Sequence, residues 1–239
     1  MKMNINEITA EIIKACKLLS ERSFVANHDG NISCKTAQNE LLITPSSFAK
    51  RDIKEDDLIK IDLLGNVLSG KHKVPSEMIW HLAIYRVRPD ISSIVHGHPV
   101  TASAFGLTTK ELGTPALPEA IVSLGRSIKT LKFFSPLDSE MMNKKDSMFE
   151  LELGRVLKES DVFIAAGNGA WSVGDTVMQT YLRLELVEQV AKQHHLALQL
   201  GEIQAIPEAL VSQLLLKRPK KNALKDLVRE EILAFLKDN

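Results

Sequence analysis

The sequence predicts an α/β fold built on a mixed or antiparallel sheet. Two observations carry this. Short apolar strands alternate with helices at 3.6-residue spacing, and one strand pair, Leu58–Leu63 with Val67-Leu68, closes through Leu64-Gly65-Asn66 as a hairpin. The same two features argue against a doubly wound parallel sheet. The chain also has no G-x-G-x-x-G, no P-loop and no G-x-S-x-G, which weakens the nucleotide-enzyme and serine-hydrolase readings.

The elements follow in order. Ile5, Ile8, Ile12, Ala15, Cys16 and Leu19 recur at helical spacing, so Asn4–Glu21 is an amphipathic helix. After Phe24-Val25 comes the polar turn Asn27–Asn31, then strands at Asn31–Lys35 and Leu41–Thr44, then the hairpin. Pro75-Ser76-Glu77 opens a helix that runs to about Arg88 and stops before Pro89, with Ser76 as the expected N-cap. A strand is expected over Ile91–His98, ended by Pro99, and a short helix over Thr101–Phe105. Leu117–Leu124 fits either strand or helix, and Ser139–Ser160 reads as mostly helical. Asp161–Ala166 is an apolar strand running into Gly167-Asn168-Gly169 and a second strand, Ala170–Val173. Thr176–Leu200 is a long helix with Val177, Tyr181, Leu184, Val187, Val190 and Ala191 as its apolar positions. Helices near Pro207–Leu216 and Asn222–Lys237 close the chain. No repeat and no Gly/Ser- or Pro-rich linker divides it, so the expected organisation is one domain over 1–200 with a helical extension over 201–239.

Composition narrows the function. The 239 residues carry 30 basic and 30 acidic side chains, so no broad basic field exists to displace counterions from nucleic acid. The local run Lys217-Arg218-Pro219-Lys220-Lys221 reads as a solvated loop between helices. Aromatics, at 5%, are too scarce to suggest base stacking. The expectation is no nucleic acid and no membrane, since no apolar run reaches the roughly 18 residues of a spanning helix. No secretory signal is visible, and Cys16 and Cys34 suit reduced thiols better than a disulfide scaffold, so the expected location is cytoplasmic.

The chemistry-bearing feature is His96-Gly97-His98. Positions i and i+2 of a strand share a face, so both imidazoles can approach one cation; two satisfied histidines at a sheet edge fit the same pattern. Glu77, at a helix start about 20 residues upstream, can join them, or can simply favour the helix dipole. The polar clusters Asn27–Ser33 and Thr44–Ser47 can cradle a phosphate with turn amides and hydroxyls, or can be plain turns.

In order, the chain reads G-N-I-S (Gly30–Ser33), I-T-P-S (Ile43–Ser46), P-S-E before a helix ending in R-P-D (Arg88–Asp90), I-V-H-G-H-P, L-P-E-A (Leu117–Ala120) and a turn before V-G (Val173-Gly174). This ordered set resembles the class II aldolase/adducin family over about residues 5–200. The resemblance implies a three-layer α/β/α fold with a central mixed, largely antiparallel sheet, and a homotetramer with sites between neighbouring subunits. It implies a metal-dependent aldolase that cleaves a small sugar phosphate through an enediolate. Related dehydratase or epimerase chemistry, or a non-catalytic adducin-like assembly role, are its alternatives. Carried over residue by residue, His96 and His98 become metal ligands, Glu77 the metal-proximal acid/base, and Asn31, Ser46, Ser47 and Ser76 phosphate contacts. His28 stands where the family usually has Thr and can reach the site. His81 matches a family position that packs or orients a neighbour. Zinc is the implied metal.

Two positions depart from the family pattern. Asn168 stands where a third ligand histidine is usual. It can ligate weakly through oxygen, leave His96, His98 and Glu77 as a set that also suits Fe(II) or Mn(II), or mark a lost metal site. Ser47 stands where Gly is usual, and either narrows the phosphate turn or adds a hydroxyl donor.

Overall fold

The computed structural model describes residues 3–37, 39–113, 115–135 and 138–218. Among these described residues eight strands form one sheet: β1 (Asn31–Ala37), β2 (Glu40–Ile43), β3 (Ile59–Asp62), β4 (Val67–Ser69), β5 (Ser93–Gly97), β6 (Lys129–Leu131), β7 (Val162–Ala165) and β8 (Ala170–Gly174). Their spatial order is β4-β3-β2-β1-β5-β8-β7-β6. Every pair is antiparallel except β6 with β7. The mixed, largely antiparallel sheet is therefore as expected, and the hairpin is β3–β4.

The helices are α1 (Ile5–Glu21), α2 (Met78–Val87), α3 (Val100–Phe105), α4 (Pro118–Leu124), α5 (Ser139–Asn143), α6 (Met148–Leu157), α7 (Val177–Leu200) and α8 (Glu208–Leu216). Strand alternation sorts the core into two layers. Ile32, Leu42, Val95 and Ile164 face α1, α3, α4 and α7, whereas Leu41, Ile43, Ile94, Phe163 and Trp171 face α2, α5 and α6. A sheet buried on both faces between helices is the three-layer α/β/α arrangement.

Local chemistry explains the boundaries. Asn4 caps α1 through a reciprocal capping box with Glu7. Ser76 is not the cap of α2, as its sequence position suggested. The capping residue is Glu77, without a side-chain cap bond, and the Ser76 hydroxyl donates instead to Glu77 Oε2 at 2.9 Å. The ambiguous Leu117–Leu124 stretch is helical, with Pro118 at its first turn. The Ser139–Ser160 segment is two helices, because Asp146 takes a left-handed φ of 57° and Ser147 starts α6 by capping Glu150 N–H. Strand β6 was not expected: three residues are too few to show a period, and its parallel pairing with β7 depends on a crossover through α5 and α6.

At the start of β7 lies a buried ion hub. Asp161, 2% exposed, accepts from Arg88 at 3.0 Å and from Arg218 at 2.6 Å, and pairs with Arg183 at 3.1 Å. The basic run therefore does not lie wholly in solvent. Lys217 is exposed, but the guanidinium of Arg218 is drawn in by a carboxylate that burial would otherwise leave costly. Helix α8 packs on α4, and Ile206 N–H donates to the Pro115 carbonyl. The expected helix Asn222–Lys237 lies outside the described residues, as do Pro219–Lys221 of the basic run.

Candidate active site

Four chain segments meet at the end of β5. Register places Asn31 of β1 beside His96, and Trp171 of β8 on its other flank. Odd-numbered Asn31 and Ser33, with His96 and Trp171, face α2, which presents Trp80, His81 and Tyr85 from the same side. Gly97 faces the other way and has no room for a side chain, since a Cβ there would lie 3.0 Å from the Phe24 carbonyl. Gly169, at φ +62°, lets the 167–169 turn close onto the Gly97 carbonyl and the His98 ring; a Cβ would collide with both.

Glu77 ends a chain of hydrogen bonds whose direction is fixed from its acceptor end. Asn31 Nδ2 donates to Glu77 Oε2 at 3.4 Å, so Asn31 Oδ1 is left to accept from His81 Nε2 at 2.5 Å. His81 Nδ1 then accepts from Ser33 Oγ at 2.7 Å, and the Tyr85 hydroxyl lies 3.0 Å from that oxygen. One neutral tautomer of His81 satisfies every step. Burial enforces that neutrality, pulling the His81 pKa down to about 3. Glu77 is half-buried, and Ser76, its second donor, is exposed.

The polar turns lie next to this carboxylate. The Thr44 hydroxyl accepts from Ile32 N–H at 3.1 Å, and Ser46 N–H donates to the Lys73 carbonyl at 2.9 Å. These bonds bring the 27–33, 44–47 and 73–77 segments together. Ser47 has a φ of +63°, so it keeps the left-handed backbone that a glycine would supply, with its exposed hydroxyl 3.4 Å from that of Ser46. His28 is exposed on the first turn. Beneath both turns lies Lys50, which nothing in the sequence singles out: a lysine followed by Arg51-Asp52 looks like any solvated charge.

The histidine pair meets as the spacing suggested, with ring centroids 4.9 Å apart. His96 is fully buried and half-buried His98 lies beside it. Burial, then the neighbouring His98 and His81, push the His96 pKa well below its usual value. His96 Nε2 lies 3.1 Å from the Asn168 backbone carbonyl, which can only accept, so this nitrogen carries the proton and Nδ1 keeps a buried lone pair. Trp171 Nε1–H donates to the same carbonyl at 3.1 Å. Asn168 thus enters the site through its main chain. Among the described residues no group of three or more His, Cys, Asp or Glu side chains is placed to hold a metal ion. A catalytic zinc site takes three protein ligands. Glu77, held by Asn31 and Ser76, does not join the two imidazoles as a third ligand, and the Asn168 turn offers them its main chain, so the requirement is not met.

Known proteins share this architecture. The chain is 29% identical over 196 residues to an L-fuculose phosphate aldolase of Methanococcus vannielii, covering 79% of this chain and 96% of that one. It is 25% identical over 187 residues to a 3-oxo-tetronate 4-phosphate decarboxylase of Pectobacterium atrosepticum, covering 77% and 81%. Among solved structures, an L-fuculose 1-phosphate aldolase superposes with a TM-score of 0.77 at 25% identity, over 90% of this chain and 97% of that one. Residues 10–195 match the sequence profile described as the class II aldolase and adducin N-terminal domain, and the chain belongs to that family.

Proposed function

We propose that this chain is a carbon–carbon lyase acting on a small sugar phosphate of the ketose 1-phosphate type, by aldol cleavage through an enediolate. The observation that carries the reading is Glu77, a half-buried carboxylate held by Asn31 and Ser76 beside two polar turns. Cleavage removes a proton from the hydroxyl beside the scissile bond. The bonding electrons pass to the carbonyl side as an enediolate, whose carbon then takes a proton. Glu77 accepts the first proton and returns one in the second step. Ser46, Ser47 and Ser76, with the turn amides and Asn31, receive the phosphate, so that binding energy remote from the reaction orients the scissile bond. Because the donor set of His96, His98, Glu77 and Asn168 falls short of a metal site, the proton chemistry is assigned to the chain's own residues. A homo-oligomer is part of the same reading.

The substrate class draws support from the aldolase and decarboxylase relatives, whose names both specify a phosphate. Incubation with a panel of ketose 1-phosphates tests it. Release of dihydroxyacetone phosphate and an aldehyde supports aldol cleavage, whereas loss of carbon dioxide from a 3-oxo acid phosphate, or a diketone product, reassigns the reaction within the family. Asn168 favours one second reading, a non-catalytic binding or assembly member. Phosphate-ester binding without turnover on any of the panel would select it.

A further inference from the structure

Lys50 is 2% exposed, yet none of the described carboxylates lies within ion-pair distance of its ammonium. A buried lysine is rare unless paired. Its Nζ donates instead to two backbone carbonyls, His28 at 3.1 Å and Phe48 at 2.9 Å. The first lies in the 27–33 turn and the second directly after the 44–47 turn, and each follows a non-glycine residue with left-handed backbone: Asn27 at φ 49° and Ser47 at φ 63°. Such backbone is strained and persists where its surroundings hold it. One ammonium therefore ties together both strained turns from beneath. Burial lowers the Lys50 pKa, while Cys16, Asp29 and Glu77 act in the opposite sense, which places the ammonium within electrostatic reach of the candidate acid/base.

We propose that Lys50 is the positioning residue of the anion cradle: it clips the 27–33 and 44–47 turns into their receiving shape and sets one fixed positive charge beneath them. The proposal rests on the phosphate reading of these turns. It assigns the cradle a cation that the balanced surface charge does not supply, and one that acts through carbonyls and through space, without touching the phosphate. Ser47 then has a defined place as well. Its side chain is tolerated at a glycine-like position because the carbonyl of the next residue is held.

Inorganic phosphate is the probe, used on the full chain. Phosphate raises the thermal midpoint of the wild type and binds measurably by calorimetry. In Lys50→Met, which keeps the apolar stem, affinity falls by about tenfold or more, with the circular dichroism spectrum retained. Lys50→Arg recovers part of the loss, and Ser47→Gly raises the midpoint more in the Met background than in the wild type. A folded Lys50→Met that binds phosphate as the wild type does overturns the proposal and leaves the phosphate reading standing. A wild type that binds no phosphate overturns both. Should Lys50→Met not fold, hydrogen exchange on the wild type decides. Phosphate-dependent protection confined to residues 27–33 and 44–50 supports the clip, and protection elsewhere overturns it.

Discussion

Trp171 lies flat against His96, ring centroids 4.0 Å apart and 11° from parallel, and both rings direct a nitrogen at the Asn168 carbonyl. The indole is itself stacked on Trp80 and fully buried. The His96 ring is therefore held on its face and at its edge before any ligand arrives. Replacing Trp171 with Ala removes the largest fully buried side chain. The expected cost is about 3–5 kcal/mol, measured by urea unfolding. Trp171→Phe keeps a ring but loses the indole donor, and is expected to cost clearly less. Equal costs for the two would show that stacking contributes little.

Asn168 is the position where one substitution should restore a ligand set. Asn168→His offers a third imidazole to His96 and His98. Divalent-metal affinity should rise by at least about tenfold over the wild type, read by competition with a chelating dye. An unchanged affinity would mean that the side chain at 168 points away from the pair.

Glu77→Gln keeps the size of the side chain and removes its ability to hold a proton. Turnover on a cleaved ketose 1-phosphate should fall about a hundredfold or more, with KM moving little. His81→Gln breaks the chain that orients Asn31, so kcat should fall by less, and a steady KM would separate positioning from loss of binding. A Glu77→Gln enzyme as fast as the wild type removes the carboxylate from the mechanism.

The buried imidazole of His81 makes the fold sensitive to acid. Its folded pKa, about 3, lies below the ordinary 6.5, so between those values the unfolded chain binds a proton that the folded chain does not. Stability therefore rises with pH across that window and is lost as pH falls through it, by up to about 1.4 kcal/mol per unit from this group. Thermal midpoints measured from pH 7 down to pH 4 should decline. His81→Gln should flatten the decline, and an unaltered slope would assign it to other groups.

Much of this was legible in the sequence, and the parts that were not have physical reasons. Apolar periodicity gave α1 and α7, and alternation put His96 and His98 together. Strand β6 escaped because three residues carry no period, and because its partner is set by a crossover. The Ser76 hydroxyl was readable as a cap, but a carboxylate one residue on offered it a charged acceptor in place of a backbone N–H. His81 was visible as an orienting residue. Lys50 was not, because burial of a charge depends on which carbonyls the fold brings within reach. Arg218 shows the same limit: it lies in a basic run that looks solvated, and its partner Asp161 is 57 residues away.

The Asp161 hub has a consequence for the order of events during synthesis. Arg88 precedes the carboxylate, Arg183 follows it by 22 residues and Arg218 by 57. A nascent chain that has exposed residues 1–190 can close the first two contacts, but not the third. Until residue 218 leaves the ribosomal tunnel, Asp161 lacks its 2.6 Å contact with Arg218. The packing of α8 on α4 is thereby tied to the late arrival of the Arg218 guanidinium, and ribosome-stalled chains ending before that point should remain protease-sensitive around residues 115–125.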